Sequence, residues 1–210
     1  MGSGTAARIL DSGAGVMPVL PPSLTLRNGA VVLRDWREGD EAALEPLFGD
    51  PDVARFSSLP TLYSRAGALE HIRRLRAKRA AGELLALAVT RDGGVPLGNV
   101  NLVFRFGDDA REAALGYWTS PAARRQGLAV TAAALLCDWG FRELSVTRIE
   151  LLVERTNVAS QRVAERLGAV ADGLTRHAAH DGSVWEMVKY SLLRADALPS
   201  ESARFIPRST

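Results

Sequence analysis

Cysteine is almost absent from this chain, which carries Cys137 alone among 210 residues. No disulfide can therefore form within it, and such cysteine usage is typical of a reducing compartment. No apolar run approaches the ~20 residues that a membrane-spanning helix needs. The N-terminal stretch MGSGTAARILDSGAGVMPVLPPS also lacks the apolar core of a secretory signal. We therefore expect a soluble protein of the cytoplasm.

An excess of charge of one sign is missing as well. Lys and Arg number 26 against 24 Asp and Glu, so no overall attraction to nucleic acid or membrane is expected. The G-x-S-x-G elbow of hydrolases and the G-x-x-x-x-G-K-[ST] phosphate loop do not occur. His177 and His180 have an H-x-x-H spacing but no nearby third ligand, so we expect no metal site.

The composition that remains is that of a globular domain, 47% hydrophobic and 24% charged. Residues 1–27 are rich in Gly, Ser and Pro without periodicity, and residues 197–210 look similar. This predicts a mobile N-terminal arm and a flexible C-terminal tail. Between them, residues 28–196 are long enough for a single domain with a full core.

Strand and helix patterns alternate along this domain. A strand pattern at residues 30–36 precedes helical patterns at residues 39–48 and 64–81. Three β-like runs follow, separated by the turn signals DGG and GDD, and their close spacing predicts antiparallel hairpins.

Beyond Gly127 the apolar period becomes helical. One face of the predicted helix carries Leu128, Ala132, Leu135, Leu136 and Trp139. The strand RIELLVER, a helix capped by Asn157 and two final strands complete the order β-α-α-β-β-β-α-β-α-β-β. Because a whole helix separates the strands on either side of Gly127, those strands are expected to be parallel. The predicted fold class is α+β, or mixed α/β.

The stretch SPAARRQGLAVTAA leads into the helix that follows Gly127. A helix N-terminus presents unpaired backbone N–H groups and partial positive charge, and phosphates bind there. Gly127 allows close approach of a ligand, and Arg124 and Arg125 can bind phosphate oxygens. Spacing alone leaves two interpretations open, a socket for an anion or a solvated basic loop that caps the helix.

These residues carry a resemblance. The sequence RRQGLA is similar to the (Gln/Arg)-x-x-Gly-x-(Gly/Ala) signature of the GCN5-related N-acetyltransferase (GNAT) superfamily, with Arg124, Gly127 and Ala129 in the motif positions. LGYWTSPAARRQGLA and ERTNVASQRVAERLGA resemble its ribosomal-protein N-terminal acetyltransferase-like subgroup. The resemblance covers about residues 30–193.

The resemblance implies the GNAT fold, a mostly antiparallel sheet with one splayed parallel pair, and acetyl-CoA as co-substrate without a metal. Backbone N–H groups of the turn would hold the diphosphate, and the strand before it would pair with the pantetheine. Arg162 and Arg166 would either reach the adenosine phosphates or form a solvated face. The implied cofactor-binding residues are Tyr117, Trp118, Thr119, Arg124, Arg125, Gln126, Gly127, Leu128, Ala129, Val130, Asn157 and Ser160.

The catalytic groups are less clearly marked. Many relatives protonate the leaving thiolate with a tyrosine where this chain has Ala164, whereas the subgroup has a serine at Ser160. Ser160 is thus the expected proton donor, or only part of the Asn157 cap. The subgroup's carboxylate base is replaced by Ala179, which leaves His180, Glu112 or a bound water as the base.

Cys137 lies within the predicted helix after Gly127, where packing is a more natural role than attack on a thioester. The resemblance then implies direct transfer of acetyl from acetyl-CoA to a primary amine, a protein N-terminus or a small amine, in a ternary complex. The alternative is an acyl-CoA-binding module with little or no catalysis.

The acceptor is not identified by the sequence. The helical pattern at residues 64–81 is strongly basic, which would steer an acidic acceptor or ribosomal RNA, or simply be a solvated face. Phe56, Leu59 and Tyr63 are candidates to line the acceptor pocket. No membrane partner is expected, and a homodimer is compatible with the resemblance.

Overall fold

One sheet of nine strands organises the part of the chain that the structure, a computed structural model, describes. The described residues are 17–47, 50, 64–106, 111–178, 184–196 and 204–205. The strand order is β7-β8-β6-β5-β4-β3-β2-β1-β9. The strands are β1 (Thr25–Asn28), β2 (Val31–Asp35), β3 (Leu84–Thr90), β4 (Gly98–Phe106), β5 (Arg111–Thr119), β6 (Arg148–Glu154), β7 (Val170–Ala178), β8 (Val184–Leu193) and β9 (Arg204–Phe205).

Three α-helices are described, α1 (Arg65–Ala80), α2 (Leu128–Glu143) and α3 (Val158–Arg166). Each coincides with a predicted helix. The helix predicted at residues 39–48 is instead a 3-10 helix, Asp40–Leu47. No helix of the described segments is long and apolar enough to cross a membrane.

Two cores lie on opposite faces of the sheet because the side chains of each strand alternate between them. On β3, Leu85 and Leu87 pack in the larger core under α2 and α3. Leu84 and Ala86 face the smaller core under α1 and the 3-10 helix. Burial on both faces explains why β3 is a continuous apolar run, LLALAVT, without polar alternation.

The parallel pair of strands diverges soon after it begins. β5 pairs with β6 only where Glu112–Ala114 faces Arg148–Glu150. Beyond that point β5 remains paired with β4 up to Thr119, and β6 remains paired with β8 up to Glu154. A gap therefore opens between them, and the predicted splayed parallel pair in a mostly antiparallel sheet is confirmed.

The ordered sheet extends past both predicted domain boundaries. β1 contains Thr25–Arg27, which fell in the predicted N-terminal arm, and it pairs with β2. Leu24 and Leu26 are buried in the larger core. At the other end, β9 pairs with β1 inside the predicted C-terminal tail. These segments are too short and polar to signal strands alone, so only pairing and burial reveal them.

Contact between β4 and α2 yields a stability prediction. Leu102 is 0% exposed, and its Cδ1 would lie 3.0 Å from a Cβ placed on Gly140 of α2. Leu102→Ala should lower the free energy of unfolding by about 2–5 kcal/mol, because a cavity remains. Urea denaturation measures this. Leu174→Ala, at a side chain 63% exposed, is the control, and equal losses for the two variants would contradict this description of the core.

Candidate active site

The turn between β5 and α2 has the backbone of an anion site. Pro121–Ala123 forms a 3-10 turn that ends β5, and Gly127 then precedes the first turn of α2 with a left-handed φ of 76°. Arg125 also has a positive φ, 61°. Gly127 supplies no capping side chain, so the first N–H groups of α2 have no partner within the helix. A Cβ on Gly127 would meet nothing within 4 Å, so the space beside Gly127 is open.

The two motif arginines behave differently. Arg125 is exposed beside the turn. Arg124, expected to bind phosphate, instead donates from one guanidinium nitrogen to both carboxylate oxygens of Asp50, at 3.0 and 2.9 Å. The Asp50 side chain is only 9% exposed. Arg124 thus ties the turn to the segment after the 3-10 helix, a role that the sequence analysis did not foresee.

A third arginine lies at this turn. Arg91, just after β3, donates a hydrogen bond to the side-chain oxygen of Gln126. Gln126 in turn donates to the carbonyl of Ala122 at 3.0 Å. The sequence does not point to Arg91, because this residue lies in a different hairpin from the motif. Its position beside DGG marks it only as a turn residue.

The part of β5 that lies along the gap contains the residues expected to pair with pantetheine. Tyr117 packs toward the larger core, and Trp118 points to the opposite face, where its ring lies 6.0 Å from that of Trp36. Past Ala114 this edge has no partner in β6, so backbone N–H and C=O groups face the gap. An extended ligand can pair with such an edge as an added strand.

Ser160 stands across this gap on α3. Its backbone N–H donates to Oδ1 of Asn157 at 3.0 Å, which confirms Asn157 as the helix cap. The Tyr117 hydroxyl lies 2.7 Å from Oγ of Ser160 and also donates to the Ser160 carbonyl at 3.2 Å. Burial raises the pKa of the Tyr117 phenol to about 12, against the opposing effect of the bond with Ser160.

The candidate bases are not brought to this pair. Glu112 lies where β5 and β6 are still joined, opposite Arg148, about 17 Å along the strand from Tyr117. His180 lies outside the described residues.

A further buried carboxylate, Glu150, accepts from Lys189 at 2.5 Å and from Arg148 at 3.2 Å. Burial raises the pKa of Glu150, but these two hydrogen bonds outweigh burial and hold it below its usual value.

Most of the basic charge on α1 is paired within the chain. Arg65 lies 3.2 Å from Glu41, and Arg74 lies 3.4 Å from Glu70. Arg79 pairs with Asp35. The proposed steering of an acidic acceptor or RNA by this helix thereby loses much of its basis.

The remaining predicted residues are placed as follows. Arg162 and Arg166 are exposed on α3, and Ala164 is fully buried on the same helix. Among the described residues no three His, Cys, Asp or Glu side chains are grouped as metal ligands. The acceptor-pocket candidates Phe56, Leu59 and Tyr63 lie outside the described residues.

An uncapped helix N-terminus at the end of a strand that borders a splayed gap agrees with the resemblance stated above. The model of the acetyltransferase (GNAT) domain family matches residues 30–170. The chain belongs to the GNAT family. YjcK of Bacillus subtilis, named a probable N-acetyltransferase, is 32% identical over 90 residues, which are 43% of this chain and 50% of YjcK. The matched region thus spans about half the length of that relative.

Solved structures share the GNAT fold over more of the chain. RimJ of Mycobacterium smegmatis, in complex with CoA-disulfide, superposes with a TM-score of 0.71 at 24% identity, over 84% of this chain and 88% of RimJ. The ribosomal-protein-S5-alanine acetyltransferase of Vibrio fischeri superposes with a TM-score of 0.69 at 16% identity, over 84% of this chain and 100% of that one. At these identities the likeness shows the fold.

Gly127 provides a test of the turn. Gly127→Ala should cost about 1–2 kcal/mol of stability because a left-handed backbone disfavours a Cβ. It should also weaken acetyl-CoA binding on the order of 10-fold, because one charge-assisted backbone hydrogen bond is disturbed. Calorimetric titration measures the affinity.

The matched control is Gly29→Ala. Gly29 also has a positive φ, 45°, with nothing within 4 Å of its would-be Cβ, and it lies between β1 and β2. The Gly29→Ala variant should lose a comparable amount of stability and keep its affinity for acetyl-CoA. Unchanged affinity of Gly127→Ala would show that the turn does not hold the donor.

Proposed function

We propose that this protein transfers acetyl from acetyl-CoA directly to a primary amine, a protein N-terminus or a small amine, in a ternary complex. The observation that carries the proposal is the succession of two features on β5. Its edge is unpaired along the gap after Ala114, and it ends at the uncapped N-terminus of α2. One extended ligand with a diphosphate at its end can use both at once.

The donor would be held mainly by backbone. N–H groups from Gln126 to Val130 would bind the diphosphate, where the helix dipole adds about half a positive charge. Arg125 and Arg91 would add positive charge beside the diphosphate, while Arg124 secures the turn through Asp50. Pantetheine would pair with the edge at residues 117–119, and Asn157 would hold the start of α3 against it. The CoA ligand of the RimJ structure supports this choice of donor.

Acyl transfer from a thioester places three demands on the site. The acceptor nitrogen must be neutral, although a lysine-type amine has a pKa of about 10.4. The tetrahedral oxyanion needs a donor, which an N–H on the free β5 edge can supply. The departing thiolate needs a proton, for which Ser160 is the proposed source.

A general base would take the proton that the acceptor nitrogen loses. Glu112 and His180 are the candidates from the sequence. The separation of Glu112 from Tyr117, about 17 Å along β5, requires that Glu112 act through a chain of several bound waters. An amine that enters in its neutral form would need no strong base.

An acyl-CoA-binding module with little catalysis is the alternative function. Ala164 favours it, because this position carries no group that can protonate a thiolate. The two functions differ in turnover and agree in donor binding, so turnover distinguishes them.

The deciding experiment incubates the full chain with acetyl-CoA and a panel of amines: peptides with different N-terminal residues, polyamines and amino sugars. We expect acceptor-dependent release of free CoA thiol and an acetylated product by mass spectrometry. Initial rates with both substrates varied should give intersecting lines, as a ternary complex requires. Binding of acetyl-CoA without thiol release for every acceptor would favour the binding module, and parallel lines would exclude the ternary complex.

Cys137 provides a second test of direct transfer. Its side chain is 1% exposed in α2, and burial raises the pKa of its thiol to about 12. It should resist a disulfide reagent in the folded protein and react fully in guanidinium. Cys137→Ala should keep its turnover, because the thiol is buried in the larger core and its raised pKa keeps it protonated. Loss of turnover together with an acetylated Cys137 in the wild type would establish an acyl-enzyme instead.

A further inference from the structure

Two hydroxyl groups meet at the gap, one from the sheet and one from a helix. Tyr117 extends from β5, in the part of the strand that β6 has left. Its phenol lies 2.7 Å from Oγ of Ser160 on α3. The Ser160 N–H is already occupied by the Asn157 cap, so the hydroxyl is the part of Ser160 that remains for chemistry.

The hydrogens of this pair are limited in number, because each hydroxyl has one to give. If Ser160 donates to Tyr117, the phenol donates to the Ser160 carbonyl, for which the 3.2 Å contact is suitable. If the phenol donates to Oγ of Ser160, the serine hydrogen is released and can point into the gap. When both hydroxyls rotate, the Ser160 hydrogen is no longer bound to Tyr117 and becomes available to donate into the gap.

We propose that Tyr117 is the terminal proton donor to the CoA thiolate and acts through Ser160. This inference rests on the proposed acetyl transfer. As the acceptor nitrogen bonds to the thioester carbonyl carbon, the carbon–sulfur bond breaks and its electron pair stays on sulfur. Sulfur takes the proton of Ser160, and Ser160 takes that of Tyr117. The proton lost by the acceptor nitrogen restores the phenol through solvent, so the protons balance.

The relay answers a difficulty of Ser160 acting alone. A serine that gives up its proton becomes an alkoxide, which is a far stronger base than a thiolate, so the transfer is uphill. With Tyr117 behind it, the charge ends on a phenolate, which is delocalised over the ring. Burial raises the pKa of the phenol to about 12, so its proton is present throughout the neutral range. The same burial disfavours the phenolate, which is still a weaker base than a serine alkoxide, so the relay makes the transfer less uphill.

The arrangement also explains how the site can function with Ala164. Ala164 lies one helical turn after Ser160, on the same face of α3, and is fully buried. A tyrosine there would project from the helix toward the sheet. In this chain the phenol belongs to Tyr117 and extends from β5 toward α3. Its oxygen lies beside the face of α3 that carries Ser160.

Tyr117→Phe is the principal test, in single-turnover reactions with acetyl-CoA and the best acceptor of the panel. We expect the rate of transfer to fall about 100-fold, the lower end for a lost general acid, with acetyl-CoA affinity within about 3-fold of wild type. Ser160→Ala should lose a similar factor. The double variant should lose little more than either, because the two residues act as one unit.

Tyr190→Phe is the matched control. Tyr190 is a second tyrosine of the larger core, 5% exposed as a whole residue, and Tyr190→Phe likewise removes one phenol hydroxyl. It should keep its rate, which separates the relay from a general effect on packing. A loss for Tyr190→Phe as large as that for Tyr117→Phe would overturn the relay, as would independent, multiplying losses for Tyr117 and Ser160.

A measurement on the unaltered protein serves as the second readout. A plot of the wild-type rate against the fraction of D₂O in the solvent should curve downward, since two protons move together. The same plot should be linear for Tyr117→Phe. A linear wild-type plot would overturn the relay even if a variant fails to fold. Absence of turnover by the wild type would overturn both proposals, whereas turnover with an unchanged Tyr117→Phe rate would overturn the relay alone.

Discussion

The divergence of β5 from β6 is the constraint on which the rest of the structure depends. The strands share only the register from Glu112–Ala114 to Arg148–Glu150, and each then follows its other neighbour, β4 or β8. Because those outer pairings continue, the gap cannot close by simple realignment. It leaves backbone groups without strand partners, which is costly unless water or a ligand meets them. The sheet itself thus provides the edge where we propose that an extended ligand binds.

The helices convert this gap into a site by placing particular groups at its borders. α2 buries one face, including Leu128 and Leu135, in the larger core, and that packing directs its N-terminus to the end of β5. α3 begins at its Asn157 cap and presents Ser160 to Tyr117. Core packing, which is dense and rigid, positions both helices. The ion pair of Arg124 with Asp50 additionally secures the turn before α2.

Charge has a supporting role and is largely neutralised within the chain. Most cations of α1 are bound to carboxylates and carbonyls of the same domain, and Arg124 is bound to Asp50. A count of charged residues along the sequence overstates the electrostatic attraction of a binding partner, because paired charges produce little net field. The proposed binding of the donor by oriented N–H groups is consistent with the small formal charge of +2.

The sequence by itself determined the helices, the long strands, the parallel crossover, the Asn157 cap and the turn at Gly127, because periodicity and capping act between residues a few positions apart. It did not reveal the β1 hairpin or the 3-10 form of residues 40–47. Only the tertiary structure joined Tyr117 to Ser160, 43 positions apart, Arg91 to Gln126, 35 apart, and Arg124 to Asp50, 74 apart. Such contacts have no local signature, since the fold of the intervening chain decides which side chains meet.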